Sequence, residues 1–228
     1  MKKYVGINTS FGDNEFENFD EYEFRTSMSL FDYDAVIINT YFVTSNYKCE
    51  STDFYEQNPR KFQGIKVLNE DESFSIIREF QTMRKHLQDM LEIGKNVFVI
   101  LEKNEKRYIY SGEKTISGNG KNAKETNYVQ VIDENGFLPV DVKLESLLGE
   151  KTQVVANGEY KDFYDSVQGL YLYQQIIKEP IGENDVIIPG TNNVVAMHMK
   201  YGKGNIVFLP RPYEEEEYID SSKGREKN

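Results

Sequence analysis

One stretch of the chain restricts its fold more than any other. Ile76, Ile77, Phe80, Met83, Leu87, Met90 and Leu91 recur at helical spacing, with Arg78, Glu79, Arg84, Lys85, Gln88 and Asp89 filling the opposite side. This predicts an amphipathic helix over residues 74–93. Glu70, Asp71 and Glu72 suit its N-terminus and Gly94 its end. The run Val97-Phe98-Val99-Ile100-Leu101 follows at once, apolar without alternation, as in a strand buried on both faces. A helix feeding such a strand belongs to α/β architecture with a largely parallel sheet. In open α/β sheets chemistry collects just beyond the carboxyl ends of the strands. Here that place holds Glu102-Lys103-Asn104-Glu105, with no Cys, Ser or His and no glycine for a sharp turn.

Ala35-Val36-Ile37-Ile38, introduced by Asp32-Tyr33-Asp34, predicts a second buried strand, and Lys3 to Ile7 a short one. Residues 22–30 are expected to be helical, 46–69 irregular and 144–148 a short helical turn, while 162–170 read equally as helix or loop. Residues 107–110 and 128–132 read as strands joined by a long exposed loop, Ser111 to Asn127, and residues 172–177 as a strand. Val186 to Ile188 predicts a strand that turns at Pro189-Gly190. Val194–Tyr201 and Ile206–Leu209, separated by Gly202-Lys203-Gly204-Asn205, predict a C-terminal β-hairpin, with Pro210 and Pro212 closing the last strand. Residues 1–212 are expected to form a single domain. Residues 213–228, with Glu214-Glu215-Glu216-Glu217, are expected to be an acidic tail unable to bury a core.

Charge narrows the partners. The net charge is −11, and residues 1–58 hold eleven Asp/Glu against four Lys/Arg. Nucleic acid is therefore not favoured; the weakly basic stretch 104–126, with five Lys/Arg and three Asp/Glu, is its one candidate contact. No apolar run reaches the ~20 residues of a membrane span, and no apolar leader follows Met1. A single Cys49 excludes an intrachain disulfide and a cysteine zinc cluster, and fits a reducing compartment, so a cytoplasmic location is expected. The partner is expected to be a protein or a small ligand.

The motifs for familiar chemistry are incomplete. No G-x-G-x-x-G follows the first strand. Gly118-Asn119-Gly120-Lys121-Asn122 resembles a phosphate loop only superficially, because Thr115 and Asn122 stand where that pattern needs Gly and Ser/Thr. His86 lies toward the polar side of the helix and His198 mid-strand, and neither has a histidine neighbour at metal-ligating spacing. Cys49, beside Lys48, becomes a nucleophile only with a histidine near it in space. Asp32 and Asp34 are turn residues or a carboxylate pair for cation or acid–base work; Glu102 is a general base or an ion-pair partner. No cofactor or metal site is predicted, and Glu102, Asp34 and His198 are the candidate catalytic residues.

Four segments carry a resemblance: Phe31 to Ile38, the helix to Gly94 with Val97–Leu101, Val194 to Gly204, and Asn205 to Pro210. Together they resemble the class I glutamine amidotransferase-like superfamily and its ThuA-like relatives. The resemblance implies a flavodoxin-like three-layer sandwich. Active members place a Cys in a glycine-flanked elbow and a His with a nearby Glu late in the chain. The elbow position here carries Glu102-Lys103, and His198 is followed by Lys200. The resemblance thus implies a non-catalytic amidotransferase-like domain acting as a binding or regulatory module. The alternative is a carboxylate- or metal-dependent hydrolase, or a nucleotide-processing enzyme, using Asp32, Asp34 and Glu102.

Overall fold

The main helix, α1 (Glu70–Glu92), is set by its ends. Asn69 caps it by accepting from the Glu72 amide at 2.9 Å, and Glu70, Asp71 and Glu72 sit against the positive end of the helix dipole. At the other end Gly94 adopts φ +97°, and the amides of Gly94 and Lys95 close back on the carbonyls of Leu91 and Met90 at 3.0 Å each. Only glycine enters that left-handed turn at no steric penalty. The helix therefore begins four residues earlier than the apolar periodicity alone predicts.

A computed structural model describes residues 2–8, 18–22, 28–40, 49–56, 61–103, 108–132, 135–147, 154–156, 161, 171–180, 183–188 and 191–212. Its strands are β1 (Tyr4–Ile7), β2 (Phe19–Tyr22), β3 (Ala35–Asn39), β4 (Cys49–Glu56), β5 (Lys61–Leu68), β6 (Asn96–Leu101), β7 (Tyr108–Ser117), β8 (Lys124–Val131), β9 (Leu144–Ser146), β10 (Val155–Ala156), β11 (Tyr171–Leu172), β12 (Gln175–Ile177), β13 (Glu183–Ile187), β14 (Val194–Tyr201) and β15 (Gly204–Pro212). The fold is mixed α/β. One large sheet runs in the order β10-β13-β14-β15-β6-β3-β1-β2. The run β15-β6-β3-β1-β2 is parallel throughout, whereas β14, β13 and β10 continue the sheet in antiparallel pairing. β14 and β15 pair from Met197↔Phe208 to Tyr201↔Gly204 across Gly202-Lys203.

Alternation within the parallel strands sorts their side chains. Val5 and Ile7, Val36 and Ile38, Val97, Val99 and Leu101, and Ile206 and Phe208 share one core with Ile76, Phe80, Met83, Leu87, Met90 and Leu91 of α1. A smaller cluster of Val154, Tyr173, Ile176, Val186, Val195 and Ala196, with Leu209 packed on it, lies apart from that core. At ~1.5–3 kcal/mol per buried large side chain, the six large apolar residues of α1 are worth about 10 kcal/mol before conformational entropy is set against them.

A second unit stands beside the sheet. β4, β5, β7 and β8 close into a four-stranded barrel around Val67 and Val129, with Tyr108 and Tyr110 packed on them. The Ser73 hydroxyl, buried at the start of α1, receives the Tyr110 amide at 3.1 Å and ties barrel to helix.

Several expectations are corrected here. Residues 49–56 and 61–68 are paired strands inside the stretch expected to be irregular; their polar composition hid them, because strand pairing satisfies backbone groups whatever the side chains. The expected loop 111–127 is mostly ribbon. β7 and β8 pair out to Ser117↔Lys124, leaving Gly118 to Ala123 as the tip. Leu144–Ser146 is a strand on β12, not a helical turn. Residues 171–177 form two short strands rather than one. Leu30–Asp32 is a 3₁₀ turn, Phe19–Tyr22 is strand, and residues 23–27 of the expected helix lie outside the described residues, as do 162–170 and the tail 213–228. The last strand runs through both prolines. Pro210 pairs opposite Leu101, the final residue of β6, and beyond the last rung with β14, where a missing N–H matters least.

Candidate functional site

The parallel strands create a reversal of connection. From β1 the chain moves outward to β2, then returns to the other side of β1 as β3, and continues through β6 to β15. Such a switch point opens a crevice beyond the carboxyl ends of the two strands that flank it. Asn8 follows β1, Thr40 follows β3, and Glu102 and Lys103 follow β6. Residues 9–17, 41–48 and 104–107, which continue from these ends, lie outside the described residues.

Glu102 is the centre of the cluster. Val97, Val99 and Leu101 face α1, so alternation places Glu102 on the opposite face, as it does Asn39 on β3 and Arg211 on β15. Its Oε2 accepts from Asn39 Nδ2 at 2.6 Å, and its Oε1 stands 3.4 Å from the Arg211 guanidinium. The two charged side chains are only 15% and 19% exposed. The backbone around Glu102 is gripped by Thr40. The Thr40 hydroxyl accepts from the Glu102 amide and donates to the Glu102 carbonyl, both at 2.8 Å. Gln175 Oε1 approaches the same hydroxyl at 3.4 Å, and both Thr40 and Gln175 are buried. One residue on, the Lys103 amide donates to Gln174 Oε1 at 3.0 Å. A carboxylate with an amide donor on one oxygen and a guanidinium at the other is an acceptor already in use. Glu102 is thus placed as an ion-pair partner that pins β6 to β3 and β15.

The other candidates lie elsewhere. Asp34 precedes β3, at the amino end of the sheet. Its carboxylate accepts from the Lys3 amide at 2.9 Å and sits 3.8 Å from Lys95 Nζ. The Lys3 hydrogen bond, with a smaller contribution from Lys95, holds its pKa below the usual carboxylate value against a partial desolvation. Between the two acids Asp32 and Asp34, Tyr33 donates its hydroxyl to Asp20 Oδ2 at 2.7 Å. Burial, that hydrogen bond and the charges of Asp20 and Asp32 push the phenol up to about 12. His198 is half-buried on β14. Its Nε2 is 3.1 Å from Asn205 Oδ1, and Asn205 Nδ2 donates to Asn96 Oδ1 at 2.9 Å. Asn96 opens β6 and Glu102 follows its end, so the two sit about 20 Å apart at ~3.3 Å per residue. The fold therefore puts Asp34 at the amino edge, His198 level with Phe98 with its ring turned toward that edge, and Glu102 at the carboxyl edge, and does not join the three in one site.

His86 meets the Phe31 ring edge-on, with centroids 6.1 Å apart. Cys49 lies in β4 opposite Leu68, on a paired strand rather than in an irregular segment. Gly118 to Asn122 is the exposed tip of the β7–β8 ribbon, with no helix behind it to complete a phosphate loop. Among the described residues no group of three or more His, Cys, Asp or Glu is placed to hold a metal ion, and no helix is long and apolar enough to cross a membrane.

Sequence reasoning missed Asn8, Asn39, Thr40, Gln174, Gln175 and Arg211. Asn39 and Thr40 carried a usable signal, since they end a buried strand just as Glu102 does. Gln175 carried none, because 135 residues separate it from Thr40. No family model matches the chain, and no curated protein matches it.

Proposed function

We propose that this chain is a non-catalytic, amidotransferase-like domain that serves as a cytoplasmic binding or regulatory module, taking a protein or small-ligand partner at the carboxyl edge of its parallel strands. The strand sequence β2-β1-β3-β6-β15 follows the 2-1-3-4-5 order of flavodoxin-like sheets, which supports the layered architecture implied by the resemblance. One observation carries the functional reading. At the position where an amidotransferase elbow carries its nucleophile, the side chain is a carboxylate bound by Asn39 and Arg211, with its backbone gripped by Thr40. One acceptor site of this carboxylate is taken by Asn39 and its charge is shared with Arg211, which supports a structural role rather than that of the elbow nucleophile.

The test is turnover by the full chain, with L-glutamine scored by ammonia release and p-nitrophenyl acetate by absorbance. The expected result is no rate above the protein-free blank. Turnover that disappears in Glu102→Gln overturns the reading.

A further inference from the structure

We propose that Asn119, at the tip of the β7–β8 ribbon, is a self-modification site, where the chain converts its own carboxamide to aspartate and isoaspartate. The Gly120 backbone nitrogen loses its proton and attacks Asn119 Cγ. Nδ2 leaves as ammonia, and a cyclic imide closes. Water then opens the imide at either carbonyl. One opening gives aspartate; the other reroutes the backbone through the side chain as isoaspartate. Water is the one co-reactant.

The chain holds three Asn-Gly pairs, at Asn119, Asn135 and Asn157, the last of them outside the described residues. A glycine after asparagine leaves the attacking nitrogen unshielded, because it has no Cβ. The fold separates the other two pairs. Asn119 and Gly120 are exposed, and the Asn119 side chain makes no capping hydrogen bond to the turn that follows it. Gly118 and Gly120 flank it at φ +85° and +57°. A Cβ at Gly118 would collide with the Asn122 carbonyl, so that glycine shapes the turn. At Gly120 nothing lies within 4 Å of where a Cβ would sit, which leaves the approach to its nitrogen open. Ring closure rotates Asn119 away from its ψ of 146°. The backbone bonds this disturbs are long ones at the tip, Asn122 amide to Asn119 carbonyl at 3.2 Å and Ala123 amide to Gly120 carbonyl at 3.1 Å.

Asn135 is held instead. Its carbonyl accepts from the Leu138 amide at 2.9 Å, its Oδ1 is buried, and the buried Phe137 and Leu138 follow. Charge points the same way, since the attacking nitrogen passes through an anion. Residues 114–124 contain Lys114, Lys121 and Lys124 and no acid, with Lys114 facing Glu125 at 3.4 Å. Asp133 and Glu134 stand directly before Asn135 and oppose that anion. The product places a carboxylate among the three lysines, so the formal charge of residues 114–124 falls from +3 to +2.

The experiment incubates the full chain in warm, mildly alkaline buffer, with and without urea, and maps tryptic peptides by mass spectrometry. Residues 115–121 form one peptide with Asn119 as its only asparagine, and residues 125–143 carry Asn135. Electron-transfer fragmentation tells isoaspartate from aspartate and locates the site. In the folded chain both products are expected to accumulate at Asn119 at least about tenfold faster than at Asn135. Urea should narrow that gap, because the hold on Asn135 is lost on unfolding. Gly120→Ala shields the nitrogen, and Asn119→Gln enlarges the ring to be closed. Each should slow the reaction at position 119 by at least about tenfold, with a circular dichroism spectrum like the parent's. The proposal is overturned if the 115–121 peptide stays unmodified, if Asn135 keeps pace in the folded chain, if urea leaves the gap unchanged, or if either variant reacts at the parent rate.

Discussion

The pair formed by Glu102 and Arg211 gives the sharpest quantitative test of how the carboxyl edge is held. At 3.4 Å, two unit charges attract by about 5 kcal/mol at an effective dielectric of ~20. That figure is gross. Both groups lose hydration on folding, and the exposure they keep, 15% and 19%, lets solvent screen what remains. A coupling of about 1–3 kcal/mol is expected once these losses are set against the attraction. Arg211→Met removes the guanidinium but keeps much of its aliphatic stem, leaving a mostly buried carboxylate with, among the described residues, the Asn39 amide to compensate it. A destabilisation of about 2–3 kcal/mol is expected. Glu102→Gln removes the negative member of the pair and should lose about 1–2 kcal/mol. The double variant should lose less than the sum by the coupling energy, because the attraction between the two groups is lost only once. Urea unfolding of the four proteins, followed by far-UV circular dichroism, measures the cycle. Tm should move by ~2–4 °C per kcal/mol for a chain of this size. Additivity within about 0.5 kcal/mol would show that the two charges do not sense each other and that Glu102 is not pinned as described.

Two further outcomes test the framework. At Gly204, a Cβ would run into the backbone carbonyls of Lys95 and Leu91 rather than into a movable side chain. Gly204→Ala is therefore expected to destabilise by about 1–3 kcal/mol or more, read as a fall in the urea midpoint, and an unchanged midpoint would mean that β15 does not approach the end of α1 this closely. Tyr33 has a folded pKa of about 12 against an ordinary value of 10.0, so its contribution is complete below pH 10 and is lost as pH rises toward 12. The parent should lose stability across that alkaline window, and Tyr33→Phe should flatten the profile there; parallel profiles would refute the assignment, and absorbance at 295 nm tracks the phenolate directly.

The residues differ in how much of their structural role was readable before folding. The acidic first turn and Gly94 announce the ends of α1 because they act on neighbours within a few positions, and the core-facing residues between them follow the 3.6-residue period, whereas Asn69, expected to close an irregular stretch, is the cap. β14 matches its expected bounds, Val194–Tyr201, for the same reason: a long apolar run followed by a glycine-bearing turn is a local pattern. β4 and β5 were illegible. Cys49-Glu50-Ser51-Thr52-Asp53-Phe54-Tyr55-Glu56 has the composition of a loop and becomes strand by pairing with β5 and β8 in a closed barrel. Glu102 was legible as the residue beyond a buried strand, but its engagement was not, since its partners lie 63 residues earlier in Asn39 and 109 positions later in Arg211.

By itself, then, the sequence determined the elements whose forces act over one or two turns: the capped helix, the buried strands β3 and β6, and the paired β14 and β15. Tertiary structure alone decided which strand ends face the same way. It put Asp34 at the amino edge of the sheet, His198 in mid-sheet with its ring turned toward that edge, and Glu102 at the carboxyl edge. The reason is physical. Periodicity records which face of an element is apolar, whereas sheet order and register depend on closing long loops between distant segments, and no short stretch of residues encodes that balance.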